Sequence, residues 1–499
     1  MITKQQYLAY VQQGFNRIPL VKQCVADLDT PLSIYLKLAN TRNTFLLESV
    51  VDGDRSGRYS YIGLPTNTVL QVFENRTQVI QGSGQAQQII QTHVGNPLDF
   101  LESFYATFNV APIDNLPRFF GGLVGYFGYD SVRYIEPILA SGLKQNDLGV
   151  PDILLMQTDR FVVIDNLKSS VQIIVLSDPS QLNAYEHGCD MIDEIVHQLR
   201  QPIHYPTEQQ STQTQQDIVR SLTQSEFIQR VDQAKRYIAA GDVMQVVLGQ
   251  RVQKSFPYDA LSLYRALRSV NPSPYLFYYH FGDFQVVGSS PEILVRQDYQ
   301  AEGSTKVTLR PIAGTRPRGI NVQQDQCYAQ ELLADPKEIA EHIMLIDLAR
   351  NDLGRIAQVG SVQLTEKMVI ERYSHVMHIV SNVQANLLPS LSAMNVFKAT
   401  FPAGTLSGAP KIRAMQIIDE LEPTKRGIYG GACGYLSYNG NMDLAIAIRT
   451  GVVKNNMLYV QAGAGIVADS NPESEWQETE NKARAVLKAA ELVEQQNAL

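Results

Sequence analysis

Residues 161–176, FVVIDNLKSSVQIIVL, hold two apolar, β-branched runs about a polar turn at Asp165–Ser170 and read as a pair of strands. Val243–Val252 reads as another strand, and Phe45–Val51 is a short apolar run that fits one. Helical periods alternate with these runs. Thr223 and Glu226 form a capping-box pattern, Phe227, Val231, Ala234 and Ile238 recur at helical spacing, and Gly241 marks the end. Sheet faces and helix stripes must bury one another, so a mixed α and β architecture is predicted. The cluster Gly121–Asp130 (GGLVGYFGYD) predicts close strand packing around glycines. It lacks the spacing of a phosphate-binding loop.

Of the 499 residues, 44% are apolar, enough for a sizeable core and too many for global disorder. Formal charge is 42 − 50 = −8. That balance argues against a nucleic-acid coat or an anionic-membrane binder, while leaving room for a local basic pocket for a small anion. No stretch approaches the ~18 uninterrupted apolar residues of a membrane span. The N-terminus lacks the apolar centre of a signal peptide. Cys24, Cys189, Cys327 and Cys433 form no CxxC spacing, which suits reduced thiols in a cytoplasmic protein. Residues 201–217 are rich in Gln, Thr and Pro with almost no apolar anchor and read as a linker. An N-terminal domain over 1–200, a linker over 201–220 and a second domain over 221–499 are expected.

Two predicted helices carry the sharpest chemical signal. Asp335-Pro336-Lys337-Glu338 is a helix start, and the i, i+3, i+4 spacing puts Glu338, Glu341 and His342 on one face. Asn471-Pro472-Glu473 starts the other, which carries Glu475, Glu478 and Lys482 on one face. Facing Glu-x-x-Glu pairs suit a hard divalent cation such as Mg²⁺. Acidic residues near helix starts also complement the helix dipole and face water, so spacing alone leaves both readings open. Pro402–Lys411 is loop-like, and Gly463, Ala464 and Gly465 could turn backbone N–H groups toward an anion or simply form tight turns. Arg449 offers a fork of donors for a carboxylate, or a surface ion pair. His375 and His378 are candidate acid/base groups.

Taken in order, Leu46–Ser49, Gly241–Leu248, Asn271–Tyr275, Ser290–Glu292, Pro311–Arg316, Lys337–His342, Asp347–Asp352, Pro402–Lys411 and Gly430–Gly434 resemble the motifs of chorismate-utilising enzymes, most closely the anthranilate synthase component I family. The resemblance spans roughly residues 15–490. It implies an α+β fold of large, mostly antiparallel sheets in a sandwich-like core with helices outside. It also implies conversion of chorismate and ammonia to anthranilate and pyruvate, the first step toward L-tryptophan.

By the same resemblance, Glu341 and Glu478 hold Mg²⁺, with Glu338 and Glu475 beside them. Tyr429, Arg449, Gly463, Ala464 and Gly465 grip the enolpyruvyl carboxylate, and Gly314 and Thr315 make further substrate contacts. Glu292 protonates the departing hydroxyl, His378 assists the elimination, Thr405 shapes the amine and hydroxyl region, and Lys482 partners the carboxylates. Gln245 and Ala313 stand where similar isochorismate, salicylate and aminodeoxychorismate synthases carry lysines. Neither offers a base or nucleophile, which points to free ammonia as the attacking species.

Glu48, Ser49, Pro274, Tyr275 and Leu276 match a tryptophan-inhibitor site. A separate glutamine amidotransferase subunit is expected to supply the ammonia in an assembly of two large and two small subunits. An aminodeoxychorismate synthase component I and a non-catalytic tryptophan-binding subunit are the alternatives. Ala313 argues against the first, and the full set of acidic and Arg positions against the second.

Overall fold

The computed structural model describes every residue except 50–56, 83–85, 141–143, 204–217, 301, 374–375 and 498–499. Val50 and Val51, most of the predicted linker and His375 therefore lie outside the described residues. Two twelve-stranded sheets form the centre. One holds β1 (Ile18–Val25), β2 (Thr44–Glu48), β3 (Tyr59–Gly63), β9 (Arg160–Asp165), β10 (Ser170–Ser177), β11 (Val219–Arg220), β12 (Gln245–Ser255), β13 (Tyr275–His280), β14 (Phe284–Ser290), β20 (Gly408–Ala409), β23 (Thr450–Lys454) and β24 (Met457–Ile466). The other holds β4 (Thr68–Phe73), β5 (Arg76–Gln81), β6 (Gln88–Val94), β7 (Gly122–Phe127), β8 (Ile153–Thr158), β15 (Ile293–Tyr299), β16 (Thr305–Leu309), β17 (Ile312–Pro317), β18 (Gln363–Arg372), β19 (Val376–Asn386), β21 (Ala432–Ser437) and β22 (Met442–Ile446).

Pairing between neighbouring strands is antiparallel in both sheets. The predicted 161–176 pair is β9 and β10, in register from Asp165–Ser170 to Arg160–Val175. Both sheets run across the 201–220 boundary. β2 joins β13 through Leu46–Tyr278 and Glu48–Leu276, and β7 joins β21 through Gly125–Gly434.

The sheets stack face to face. Phe119 fills the layer between them, its ring 5.1 Å from Phe161 and 5.5 Å from Tyr61 on one side and 4.7 Å from Tyr435 on the other. Strands buried on both faces, such as β8 (ILLMQT), read as continuous apolar runs for that reason. The glycine cluster serves packing: a Cβ on Gly125 would lie 2.1 Å from the Leu154 carbonyl oxygen across the ladder. Helices cover the outer faces. Gln224–Ala239 starts at the predicted Thr223–Glu226 capping box and buries Phe227, Val231 and Ala234. The expected α+β sandwich with outer helices is the architecture that forms.

Candidate active site

The two acidic helices run from Pro336 to Gly354 and from Pro472 to Asn497. Asp335 caps the first, its carboxylate accepting the N–H groups of Lys337 (3.0 Å) and Glu338 (3.4 Å). Asn471 caps the second by accepting from the Ser474 N–H at 2.9 Å. His342 turns inward from its glutamate neighbours. It is fully buried, its Nε2 lies 2.7 Å from Ser381 Oγ, and burial pushes its pKa down to about 4, so it is neutral.

The acidic faces converge on Gly463–Gly465 of β24. Gln245 Nε2 donates to Glu341 Oε1 at 3.3 Å, and a Cβ on Gly465 would lie 2.7 Å from that same nitrogen. Lys482 Nζ donates to the Gly463 carbonyl at 3.0 Å and pairs with Glu478 Oε1 at 2.6 Å. Glu341 through Gln245, and Glu478 through Lys482, are thus linked to one short stretch of strand. That stretch is strand, paired with Gly249 to Val247 of β12, so of the two readings left open for Gly463–Gly465 the tight turn does not hold. Glycine is needed there because Tyr429 leans on it: a Cβ on Gly463 would lie 2.8 Å from the tyrosine hydroxyl.

Crowded negative charge is visible in the acids themselves. Burial and the nearby Glu341 raise the pKa of Glu338, which Arg316 meets only at 3.5 Å. Burial and then Glu478 raise that of Glu475, on which Lys337 of the other helix also acts. Among the described residues no three His, Cys, Asp or Glu side chains stand close enough to hold a metal alone. Paired glutamates with oxygen donors only do fit Mg²⁺, which keeps several waters and asks the protein for one or two carboxylates beside an anionic ligand.

Beside this stretch lies the candidate acid/base group. Glu292 is buried, accepts from Thr405 Oγ1 at 3.0 Å, and has its pKa pushed up to about 8 by burial against the opposing charges of Lys482 and Arg449. It is a protonated acid at neutral pH. Arg449 occupies the left-handed region (φ +48) between β22 and β23, and its Nη1 donates to Asn271 Oδ1 at 3.3 Å. Burial lowers its pKa, and the Glu292 carboxyl opposes that shift when it is ionised. His378 Nδ1 lies 2.9 Å from the Gly314 carbonyl and 3.1 Å from Thr315 Oγ1. A carbonyl only accepts, so Nδ1 carries the proton and Nε2 is left as an acceptor. Burial lowers the His378 pKa. Gly314 sits at φ +72, at an irregularity in the β17–β19 register that lifts its carbonyl toward the imidazole.

A model of chorismate-binding enzymes matches residues 59–488. The chain is 55% identical to the anthranilate synthase component 1 of Neisseria gonorrhoeae, over 99% of both chains. This chain belongs to the anthranilate synthase component 1 family. The crystal structure of anthranilate synthase component I from Streptococcus pneumoniae is similar at a TM-score of 0.76 and 37% identity, covering 93% of this chain and 99% of that one. The menaquinone-specific isochorismate synthase of Escherichia coli shares the fold at a TM-score of 0.69 and 19% identity, over 97% and 98% of the two chains.

In this family member the segment Leu46–Ser49 also meets Asn271–Leu276. Glu48 pairs with Leu276 across β2 and β13. Its carboxylate is buried, accepts from the Tyr264 hydroxyl at 2.5 Å and faces Arg268 at 3.2 Å; burial raises its pKa and these two partners pull it back. Ser49 packs where a Cβ on Gly57 would collide with it. Tyr275 is not on that face: its hydroxyl donates to Asp443 Oδ1 at 3.1 Å, in the layer between the sheets. Sequence reasoning did not foresee that Asn271 holds Arg449, or that Gln245 holds Glu341. Both residues stood in the family strings, but no local pattern ties them to partners 178 and 96 positions away.

Proposed function

We propose that this chain makes anthranilate and pyruvate from chorismate and ammonia, a lyase reaction of L-tryptophan biosynthesis in the cytoplasm. The observation that carries the reading is the convergence of Glu341 and Glu478 on Gly463–Gly465, beside a protonated Glu292. Chorismate carries two carboxylates, and bare glutamates would repel it. Glu341 and Glu478, with Glu338 and Glu475 beside them, would hold Mg²⁺, whose charge supplies the attraction for the ring carboxylate. Arg449, Tyr429 and the Gly463–Gly465 backbone receive the enolpyruvyl carboxylate. Gly314 and Thr315 flank the ring.

Ammonia adds to the ring, and the ring hydroxyl takes the Glu292 proton and leaves as water. Thr405, bonded to Glu292, orients that carboxyl. In the elimination half His378 Nε2 accepts the ring proton, and the electron pair of that C–H bond makes the ring aromatic as the carbon–oxygen bond to the enolpyruvyl arm breaks. The enolpyruvate that leaves takes a proton on its methylene carbon to become pyruvate. Gln245 and Ala313 supply neither a base for water nor a nucleophile, which leaves ammonia as the attacking species.

Within the same reading a glutamine amidotransferase subunit, the family's component 2, delivers the ammonia, in an assembly of two large and two small subunits. The 1–200 region contributes Glu48 and Ser49 to a tryptophan site completed by Pro274 and Leu276 of the 221–499 region, and tryptophan there inhibits. The test is purified chain with chorismate, Mg²⁺ and ammonium at alkaline pH. Blue-fluorescent anthranilate is expected. Accumulated aminodeoxychorismate, or no turnover, would reject the reading.

A further inference from the structure

Behind the substrate walls lies an ion pair that the chemistry above does not use. Glu422 and Arg426, four positions apart just past the end of the helix Lys411–Leu421, are 3% and 1% exposed and meet at 2.6 Å. Every nitrogen of the guanidinium is engaged. Nε donates to Glu422 Oε2 at 2.9 Å, Nη1 to the Leu406 carbonyl at 2.6 Å, and Nη2 to Glu422 Oε1 and to the Val247 carbonyl at 2.9 Å. Glu422 Oε1 also accepts the Gly249 N–H at 2.8 Å. The guanidinium carbon lies 4.4 Å from the Tyr129 ring centre and 5.6 Å from that of Tyr429.

These partners are the backs of three substrate walls. Leu406 follows Thr405, which holds Glu292. Val247 and Gly249 are the ladder partners of Gly465 and Gly463. Tyr429 stands against Gly463. A buried ion pair is a poor source of net stability, because removing two charges from water costs about what their attraction returns. What this one supplies is geometry: a planar fork fixes three chain segments at once, which neither a lysine nor an apolar pair of the same volume could do.

We infer that Glu422 and Arg426 are one positioning unit, which sets the spacing between the Thr405 loop, the Tyr429 ring and the Gly463–Gly465 strand and so tunes how the substrate's enolpyruvyl carboxylate is held. The inference rests on the proposed function of this site.

The test compares the wild-type chain with Glu422→Gln, which keeps shape and loses charge, and Arg426→Lys, which keeps charge and loses the fork. Glu494→Gln is the control. It breaks another buried pair, Lys254–Glu494 at 2.8 Å, toward the far end of β12. Both site variants are expected to lose about 10- to 100-fold in kcat/KM for chorismate, mainly through KM, as expected when a binding wall shifts by a fraction of an ångström to an ångström. The alkaline limb of their pH profiles should move upward, because Thr405 no longer holds the Glu292 proton affinity down. Glu494→Gln should lower the thermal midpoint and leave kcat/KM alone. Wild-type kinetic constants in both folded site variants, or an equal loss in Glu494→Gln, would overturn the inference. Calorimetric affinity for chorismate reads the same effect without turnover. A wild-type chain that binds chorismate but makes no anthranilate would therefore reject the proposed reaction separately from the positioning role.

Discussion

The Gly463–Gly465 cleft and the Glu48 pocket each bury carboxylates, and they treat them in opposite ways. Glu48 has a tyrosine hydroxyl at 2.5 Å and a guanidinium at 3.2 Å. Its charge is answered within the fold. In the cleft, Glu341 is met by a neutral amide at 3.3 Å, and Glu338 and Glu475 have their proton affinity raised by burial and by the next glutamate on their own helix, Glu341 and Glu478. The difference teaches where a ligand's charge is needed. Under the proposed function the Glu341 side of the cleft is where a cation would act, since Glu478 already pairs with Lys482 at 2.6 Å, whereas an ammonium group entering the Glu48 pocket would share a carboxylate already held. In the proposed function the first is the site that chemistry would depend on, and the second a site that would modulate it.

The largest effect should come from the cleft. Glu341→Gln is expected to cut magnesium-dependent anthranilate formation by about 10³-fold, a loss like that of a key electrostatic group, with the thermal midpoint kept within a few degrees. Fluorescence assays beside thermal melts check this; full activity would refute the ligand assignment. Next is Glu292→Gln, with a loss of about 10²- to 10³-fold from removing the proton donor. The sign of the pH effect follows from its raised pKa of about 8. The acid is protonated below that value, so wild-type kcat/KM falls as pH rises through it, and the variant's residual activity lacks that limb. Arg449→Lys keeps the charge but loses the fork, and a rise of about 10- to 100-fold in KM for chorismate is expected from steady-state kinetics, with kcat less affected. The smallest change belongs to the Glu48 pocket. Glu48→Gln should leave turnover within about twofold and weaken inhibition by tryptophan by about tenfold, the scale of one charge-assisted hydrogen bond; unchanged inhibition would remove Glu48 from the proposed tryptophan site.

Much of this could be read before any coordinates. The starts at Asp335 and Asn471 were legible because a capping side chain, a proline and periodic apolar residues agree locally. The start at Thr223 was legible from its capping box and apolar period alone. The 463–465 strand was not legible, since Gln-Ala-Gly-Ala-Gly carries no β-branched signal; its state is fixed by β12, more than two hundred residues earlier. The joining of β2 to β13 was equally invisible, because a ladder between distant segments leaves no local trace. The glutamate pairs were visible as faces of helices. That Gln245 and Lys482 link them to one strand, only the tertiary arrangement decides.

Diffraction at the manganese edge from crystals grown with Mn²⁺ and anthranilate tests the central claim most directly. The account predicts one anomalous peak bounded by Glu341 and Glu478 and facing Gly463–Gly465. A peak elsewhere, with those carboxylates uncoordinated while anthranilate sits in the cleft, would contradict it.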